Sequence, residues 1–339
     1  MKFSVGYKIE KSTSFMEYLV DKKEHIHEMY FSWGDIANGR NTISTNEDML
    51  PWEAQAKQIE DLRYVSDNGV KLNLLLNGNC YGADSQSRNF FVKIGNTIDY
   101  IGAEFGLASV TTTSLLIAKF IHENFKNIDV RASVNMKIGS IAGMEYVSEY
   151  FDSFYMQREH NRNLERIKEL KKWCDNNSKG LYMLANSGCL NDCSAHTFHD
   201  NLVAHEADIV KMDNAYNFGG ICKDYLKKDK TAILRNTNFV RPEDIFLYEG
   251  YFVAAKLATR VSSNPIRTLK AYVDGAYFGA VTDLLEPNHS GIFYPELLEN
   301  KKIPDGFAKK VMTCDKNCSQ CGYCNEVCEK ATVLLEKDF

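Results

Sequence analysis

Residues 163–193 read NLERIKELKKWCDNNSKGLYMLANSGCLNDC, and the fold prediction rests first on these residues. Apolar residues recur at helical spacing in its first half, so Asn163–Asn176 is predicted to be an amphipathic helix. The apolar run that starts at Leu181 predicts a buried strand, which ends at the Asn-Ser-Gly sequence. Cys189 and Cys193 follow directly. A helix and a buried strand form half of a βαβ unit, and thiols just after such a strand are candidate metal ligands.

The alternation of strand and helix extends over most of the chain. Predicted strands are Lys2–Tyr7, His27–Phe31, Lys71–Asn77, Ile98–Phe105, Ile128–Val134, Asp152–Gln157, the strand at Leu181, Ile209–Met212, Ala232–Phe239 and Phe252–Leu257. Helical spacing lies between many of them, as in Gln55–Asn68, Thr113–Asn124 and Ala142–Tyr150. About eight such units in roughly 260 residues predict an α/β fold, a (β/α)8 TIM-type barrel. No Gly-x-Gly-x-x-Gly follows the first strand, which disfavours a doubly wound sheet.

The C-terminal part of the chain differs in composition from the predicted barrel. Three of the six prolines lie within residues 286–305, and five of the ten cysteines lie between Cys314 and Cys328. We therefore predict a barrel over residues 1–285, a linker over 286–310 and a small Cys-rich metal-binding domain over 311–339. A segment of that length has little room for a core, so a bound metal would be needed to fold it.

Composition and charge exclude several classes of protein. With 44% hydrophobic and 25% charged residues, the chain is typical of a globular enzyme. A net charge of −5 provides no overall basic surface for nucleic acid. The sequence has no apolar run of transmembrane length and begins without a signal-peptide hydrophobic region, so we expect a cytoplasmic protein without a membrane partner. In such a protein cysteines indicate metal binding rather than disulfides, and their abundance favours an anaerobic source.

A barrel would gather the residues that follow its strands at one mouth. The polar, aromatic and thiol side chains at these positions are Trp33, Asp35, Arg40, Asn77, Asn79, Cys80, Glu104, Ser133, Asn135, Arg158, Glu159, His160, Asn186, Cys189, Lys256 and Arg260. This topology predicts that Cys80 meets Cys189 and Cys193, although the three are far apart in sequence. Glu104 ends an apolar run, and because a buried carboxylate needs a partner, a pocket position is favoured.

The internal cysteines are candidates for one metal site. Cys189 and Cys193 supply two sulfurs, and Cys222 and Cys80 are the candidates for the remaining ligands. Thiolates favour zinc or an iron–sulfur cluster over harder ions. The alternative is that these cysteines are small buried apolar side chains, as free cysteine often is. His196 and His199 are ambiguous, since isolated histidines often serve only as hydrogen-bonding groups.

The C-terminal cysteines have a spacing typical of ferredoxins. The sequence Cys318-x2-Cys321-x2-Cys324-x3-Cys328 matches the bacterial pattern, with Glu329 in place of the usual proline. Cys314 lies four residues upstream, so either Cys314 or Cys328 could be the fourth ligand. An iron–sulfur cluster is favoured, and zinc is the alternative because four-cysteine zinc sites share the Cys-x2-Cys knuckle.

A set of short motifs in order resembles the peptidase U32 family over roughly residues 70–285. The motifs are Val130-Arg-Ala-Ser-Val, Met156-Gln-Arg-Glu159, Asn163-Leu-Glu-Arg-Ile, Cys189-x3-Cys193, Phe239-Val-Arg-Pro-Glu-Asp244, Ala255-Lys256-Leu-Ala-Thr-Arg260 and Leu269-Lys-Ala-Tyr272. The resemblance implies a (β/α)8 barrel whose cysteines hold a 4Fe–4S cluster. Members with assigned roles act in oxygen-independent hydroxylation, in ubiquinone synthesis or on tRNA or ribosomal RNA bases. Others carry a collagenase or protease label.

The chain departs from that family pattern in two places. Common members have His-Gly-x-x-Cys and then Ser-Gly-x-Cys, where this chain has Asn-Ser-Gly-Cys189 and then Cys193, with Cys222 further on. The ferredoxin-like tail is additional. The resemblance implies that Cys80, Cys189, Cys193 and Cys222 hold the cluster.

The preferred functional prediction is a U32-like iron–sulfur oxidoreductase, with one or two 4Fe–4S clusters and an external electron donor or partner subunit. The substrate is a small molecule, an RNA base or a peptide, and its anionic or carbonyl group would be bound by residues at the mouth. These residues are Arg158, Glu159, Glu104, Lys256 and Arg260. The alternatives are a metal-dependent peptidase or hydrolase, and a non-catalytic electron-transfer subunit.

Overall fold

The computed structural model describes residues 1–39, 49–209 and 219–335. Eight parallel strands close into a barrel in sequence order, and the eighth is hydrogen-bonded to the first. They are β1 (Phe3–Gly6), β2 (Ile26–Phe31), β3 (Lys71–Leu76), β4 (Ser109–Thr112), β5 (Asp129–Ala132), β6 (Ser153–Tyr155), β7 (Gly180–Leu184) and β8 (Ala255–Leu257). The predicted (β/α)8 TIM-type barrel is thereby confirmed. A separate antiparallel pair consists of β9 (Glu296–Leu298) and β10 (Thr332–Leu334).

Helices connect the strands and cover the barrel. They are α1 (Ser14–Asp21), α2 (Pro51–Asp67), α3 (Arg88–Phe105), α4 (Leu115–Asn124), α5 (Ile141–Glu145), α6 (Leu164–Asn176), α7 (His196–Ala204), α8 (Glu206–Ile209), α9 (Ile221–Lys228), α10 (Ala232–Arg235), α11 (Pro265–Asp274), α12 (Ser290–Phe293), α13 (Phe307–Met312) and α14 (Tyr323–Ala331). Asn163 caps α6 by accepting a hydrogen bond from the Arg166 amide at 3.0 Å. Such caps satisfy amides that have no partner within the helix. None of the described helices is both long and apolar enough to cross a membrane.

Side chains of each strand alternate between the outer core and the barrel interior. In β3, Leu72 and Leu74 belong to the main apolar core, whereas Asn73 hydrogen-bonds to Glu28 and Thr111 of the neighbouring strands, at 2.9 and 3.0 Å. This alternation is the two-residue period of a strand. It places a polar layer inside the barrel and apolar side chains beneath the helices.

The predicted strand Ile98–Phe105 is wrong, because these residues lie in α3. Ile94, Ile98, Ile101 and Phe105 are buried at intervals of three and four residues, which is the helical period. Glu104 consequently lies on the outer surface, where its carboxylate pairs with Arg63 at 2.9 Å and is partly exposed. Its predicted pocket position is therefore also wrong.

Two other predicted strands differ from the structure. Ala232–Phe239 begins as the short helix α10 and continues as a loop, because its apolar side chains pack into a second core rather than into the barrel. Ile209 is the last residue of α8, and residues 210–212 of the predicted strand lie outside the described residues. Arg40 also lies outside them.

The predicted division at residues 285 and 310 does not follow the packing. A second apolar core combines the segment after α9 with the C-terminal region, and its buried members include Leu226, Leu234, Phe239, Val281, Leu298, Phe307, Val311, Val327 and Ala331. The predicted linker thus contributes β9 and Leu298 to a packed unit. Residues 286–310 are a structural part of the molecule that joins the Cys-rich segment to the barrel.

Candidate functional site

A cavity of about 360 Å³ lies at the mouth of the barrel, where its strands end. Residues from six strands or the loops that follow them line it, together with residues of α7, α8 and the start of α9. The side chains from the strand ends are Tyr30, Asn77, Asn135, Arg158, Cys189, Lys256 and Arg260. Six of these seven were predicted to converge from topology alone; Tyr30 was not. The position agrees with the general location of functional sites in this fold.

Three of the predicted metal-binding cysteines line this one cavity. Cys189 and Cys193 lie in the loop after β7, and Cys222 lies at the start of α9. Burial raises the pKa of the Cys222 thiol, and the nearby thiols of Cys189 and Cys193 add to the rise. The three sulfurs therefore lie within electrostatic reach of one another. Cys222 comes from a separate segment of the chain. Sequence spacing alone therefore does not predict that it meets the other two thiols.

Cys80 lies on the loop after β3, beside this cavity rather than on its wall. Its sulfur accepts a hydrogen bond from the Gly82 amide at 3.4 Å. The neighbouring Asn79 donates to the carboxylate of Asp200, a cavity residue, at 3.4 Å. Within the residues that the structure describes, Cys80 is not part of the cavity lining. Its role as fourth ligand stays a prediction.

Arg158 connects the cysteines to a histidine. One guanidinium nitrogen lies 3.3 Å from the Cys189 sulfur, and another lies 3.0 Å from Nε2 of His196. The same His196 nitrogen is 3.2 Å from a carboxylate oxygen of Asp200. The guanidinium therefore places a positive charge directly beside the Cys189 sulfur. Arg158 is buried, so water screens this charge only weakly.

Two further cations lie at the end of β8 and in the loop that follows. The ammonium group of Lys256 lies 4.0 Å from the centre of the Tyr30 ring, and Arg260 donates to the Asn38 side chain at 3.0 Å. Burial raises the pKa of Tyr30 to about 12, although Arg260 opposes the rise. Tyr30 therefore stays neutral at physiological pH and offers a ring face to Lys256.

The cavity also contains carboxylates, so its walls carry both signs of charge. Asp200 and Glu206 come from the helices over the mouth, and Glu286 comes from the segment beside the β7 loop. No local sequence pattern predicts these acids at the site, because only the tertiary fold brings them to the strand ends. The cations Arg158, Lys256 and Arg260 instead lie at the ends of barrel strands or just after them. Such positions are predictable from the sequence, because the ends of barrel strands meet at one mouth.

Glu159 is half-buried and does not line the cavity. It follows Arg158 in a 3-10 turn, where successive side chains point about 120° apart. One of its carboxylate oxygens is buried without a hydrogen-bond partner in the described part of the chain. Its predicted contact with substrate is therefore not supported by its position. Asp35 is likewise outside the cavity and pairs with Lys93 at the surface, at 2.5 Å.

The tail cysteines divide into two groups. Cys324 lies within electrostatic reach of Cys314, Cys318 and Cys321. Cys328 is 1% exposed in the second core, and burial raises its pKa to about 12. Cys328 differs from the other four tail cysteines because it is the buried one among them.

The donor types of both cysteine sets fit a thiophilic metal or an iron–sulfur cluster. Over residues 1–39, 49–209 and 219–335, however, no three His, Cys, Asp or Glu side chains are close enough together to hold an ion. Side-chain rotation or closure of the ligand loops must therefore accompany binding, as is common where metal binding is coupled to folding. The cavity beside Cys189 provides space for such a centre.

Comparison with known proteins agrees with the fold and leaves the chemistry open. No family model matches the chain. It is 26% identical over 321 residues to the uncharacterized protease MJ1657 of Methanocaldococcus jannaschii, covering 91% of this chain and 90% of that protein. The structure of the U32 peptidase Mk0906 aligns with a TM-score of 0.51 at 12% identity, covering 65% of this chain and 82% of that one. That identity shows a shared fold alone. The chain therefore resembles the protease relative over most of its length and shares the fold of the U32 peptidase structure.

Proposed function

We propose that the mouth cavity is the active site of an oxidoreductase whose iron–sulfur cluster is held by Cys189, Cys193 and Cys222. The observation that carries this proposal is the arrangement of three thiols from two chain segments on one cavity wall. When bound, the cluster would supply electrons or a Lewis-acidic iron at that wall. Cys80 is the candidate for a fourth ligand, because its loop borders α7, which lines the same cavity.

The cations around the thiols support an anionic or carbonyl-bearing substrate. Arg158 contacts Cys189 and would stabilise negative charge on the sulfur. Lys256 and Arg260 line the same cavity, from the strand next to β7 and the loop that follows it, and would orient an oxyanion beside the thiols. Reduction or hydroxylation of a small molecule, an RNA base or a peptide would fit this arrangement. Reduction would take its electrons from an external donor, whereas hydroxylation would need an oxygen source such as water and an external electron acceptor.

The test is the iron, acid-labile sulfide and zinc content of full-length protein purified without oxygen. We expect Cys189→Ala and Cys222→Ala each to lose about four irons per chain relative to the parent protein. The matched control is Cys174→Ala, because Cys174 is buried in α6 and belongs to the main core. Unchanged iron in both cavity variants, or equal loss in the control, would refute the assignment.

A peptidase is the second candidate, favoured by the protease name of the relative and by one contact. His196 lies between Arg158 and Asp200 next to the cavity cysteines, and such a histidine could move protons during hydrolysis. A hydrolase would cleave peptides without iron and without an electron donor. Peptide cleavage by the iron-free parent protein, and loss of that cleavage in His196→Gln, would favour this alternative. The Cys189→Ala and Cys222→Ala proteins should then be colourless and have the same metal content as the parent protein.

A further inference from the structure

The C-terminal cysteines do not all face the same environment. Cys314 follows α13, with its sulfur 3.5 Å from the Val311 carbonyl oxygen. Cys318 and Cys321 are exposed on the next loop, and Cys324 is in the first turn of α14. Cys328 instead belongs to the second core, with its sulfur 3.8 Å from the Lys230 carbonyl oxygen. The first four cysteines are therefore accessible to a common ligand, whereas the fifth is occupied in packing.

The loop between α13 and α14 folds back on itself. The Cys318 amide donates to the Lys316 carbonyl at 2.8 Å, and the Cys321 amide donates to the Asn317 carbonyl at 3.2 Å. These short-range bonds keep Cys318 and Cys321 on one compact loop. α13 ends just before Cys314 and α14 begins just before Cys324, so these two cysteines flank the compact loop that carries Cys318 and Cys321.

A buried cation packs against α13, the helix that leads into Cys314. Arg162 is 4% exposed, and its guanidinium donates to the carbonyl oxygens of Leu234 and Phe239 at 2.6 and 3.1 Å. It also lies 5.4 Å from the centre of the Phe307 ring, on α13. Among the described residues, no carboxylate forms an ion pair with Arg162. The neighbouring acid Asp244 is itself paired with Arg241, at 2.7 Å.

An isolated buried charge is costly unless an opposite charge is near. Cys324 and Cys314 are among the groups whose negative charge would stabilise Arg162. Four thiolates around a divalent metal or a cluster keep a net negative charge, and such a centre would supply the missing counter-charge. Neutral thiols would not.

We propose that Cys314, Cys318, Cys321 and Cys324 form a tetrathiolate metal centre, with Arg162 as its buried counter-charge and Cys328 excluded. The occupant is a 4Fe–4S cluster or a zinc ion, since both accept this donor set. The proposal does not depend on the mouth cavity, whose cysteines are different residues.

The first experiment compares Cys314→Ala with Cys328→Ala in anaerobically purified full-length protein. We expect Cys314→Ala to lose about four irons with their sulfide, or about one zinc, and Cys328→Ala to keep the parent metal content. Cys318→Ala should behave like Cys314→Ala, and because Cys318 is exposed it provides a test that does not disturb the core. Circular dichroism checks that each variant is folded. Metal loss in Cys328→Ala with retention in Cys314→Ala, or retention in both loop variants, would overturn the proposal.

The second experiment tests Arg162 by a readout other than activity. In Arg162→Met an iron–sulfur centre should have a more negative midpoint potential, because loss of a nearby cation disfavours the reduced, more negative form. A zinc centre should instead show about tenfold weaker affinity in competition with a chromophoric chelator. Arg162→Lys should restore part of either effect. An unchanged potential or affinity in Arg162→Met would show that the guanidinium has only a packing role.

Discussion

At the scale of single residues, the Glu28–Arg131 pair shows how the barrel interior holds charge. The two side chains are almost fully buried and their charged atoms lie 2.5 Å apart. Ser4 and Asn73 also donate to Glu28, at 3.0 and 2.9 Å. Burial opposes ionisation of Glu28, but Arg131 and these polar neighbours outweigh it and lower its pKa to about 2. The carboxylate is therefore charged in the folded protein at any pH the protein normally meets.

This shift predicts a pH-dependent difference between the parent protein and Glu28→Gln. The pKa of Glu28 is lowered in the folded state. Its ionisation therefore stabilises the fold fully above the pKa of the unfolded state, about 4.5, and this stabilisation is lost as pH falls from there toward about 2. We expect Glu28→Gln to destabilise the protein by about 3 kcal/mol at pH 7, because the buried Arg131 loses a partner. The gap should narrow by about 1 kcal/mol at pH 3.5. Urea unfolding at both pH values measures it.

The control for that measurement is Glu104→Gln. Glu104 is paired with Arg63 at 2.9 Å, but both side chains are more than 40% exposed. Because exposed ion pairs contribute little, the change should be within about 0.5 kcal/mol at either pH. A Glu28→Gln variant as stable as Glu104→Gln at pH 7 would contradict the proposed importance of the interior pair.

At the scale of elements, the loop after β7 is held against the segment after α11. The Gly188 amide donates to the Glu286 carbonyl at 2.8 Å, and a Cβ at Gly188 would lie 2.5 Å from the Pro287 carbonyl oxygen. Gly188→Ala must therefore displace this loop and its neighbour Cys189. We expect a loss of about 1–3 kcal/mol in unfolding free energy, with reduced iron at the cavity site. Thermal unfolding and metal analysis test both effects.

The matched control is Gly102→Ala in α3, where an added Cβ would meet nothing within 4 Å. Alanine has the higher helix propensity, so this variant should gain about 0.5–1 kcal/mol. Opposite signs for the two substitutions would distinguish steric crowding at the loop from a general response to glycine replacement. A stable, fully metallated Gly188→Ala would contradict the packing argument.

The same elements show how far sequence could predict the structure. Periodicity found the barrel, and the rule that strand ends converge placed Arg158, Cys189 and Lys256 on one cavity. It failed at α3, because a short apolar run does not distinguish a strand from a buried helix face. It also missed Arg162, since nothing local distinguishes a surface arginine from one buried by a distant segment. The acids of α7 and α8 were missed for the same reason.

At the scale of the whole molecule, one turn connects the two cysteine sets. Arg158 and Arg162 are four residues apart, on the 3-10 turn after β6 and the residues leading into α6. Arg158 contacts Cys189 at the mouth, and Arg162 packs against Phe307 of α13, the helix that precedes the tail cysteines. Both guanidiniums are buried. A change of charge at either cysteine set is therefore felt by the same short segment, which would couple the two centres if both are redox-active.

This connection predicts that metal at the tail stabilises the barrel. Binding of a metal by a site that is not preformed contributes directly to folding free energy, and Arg162 and Phe307 join the tail to the barrel. Removal of the metal by a chelator should therefore lower the urea concentration at the unfolding midpoint of the parent protein. All three tryptophans, Trp33, Trp52 and Trp173, lie within the barrel, so their fluorescence reports the unfolding of that part. Cys314→Ala would already lack the tail centre. Its urea midpoint should therefore be low without chelator, and loss of tail metal should not lower it further. An unchanged tryptophan transition in chelated parent protein would show that the second core and the barrel unfold independently.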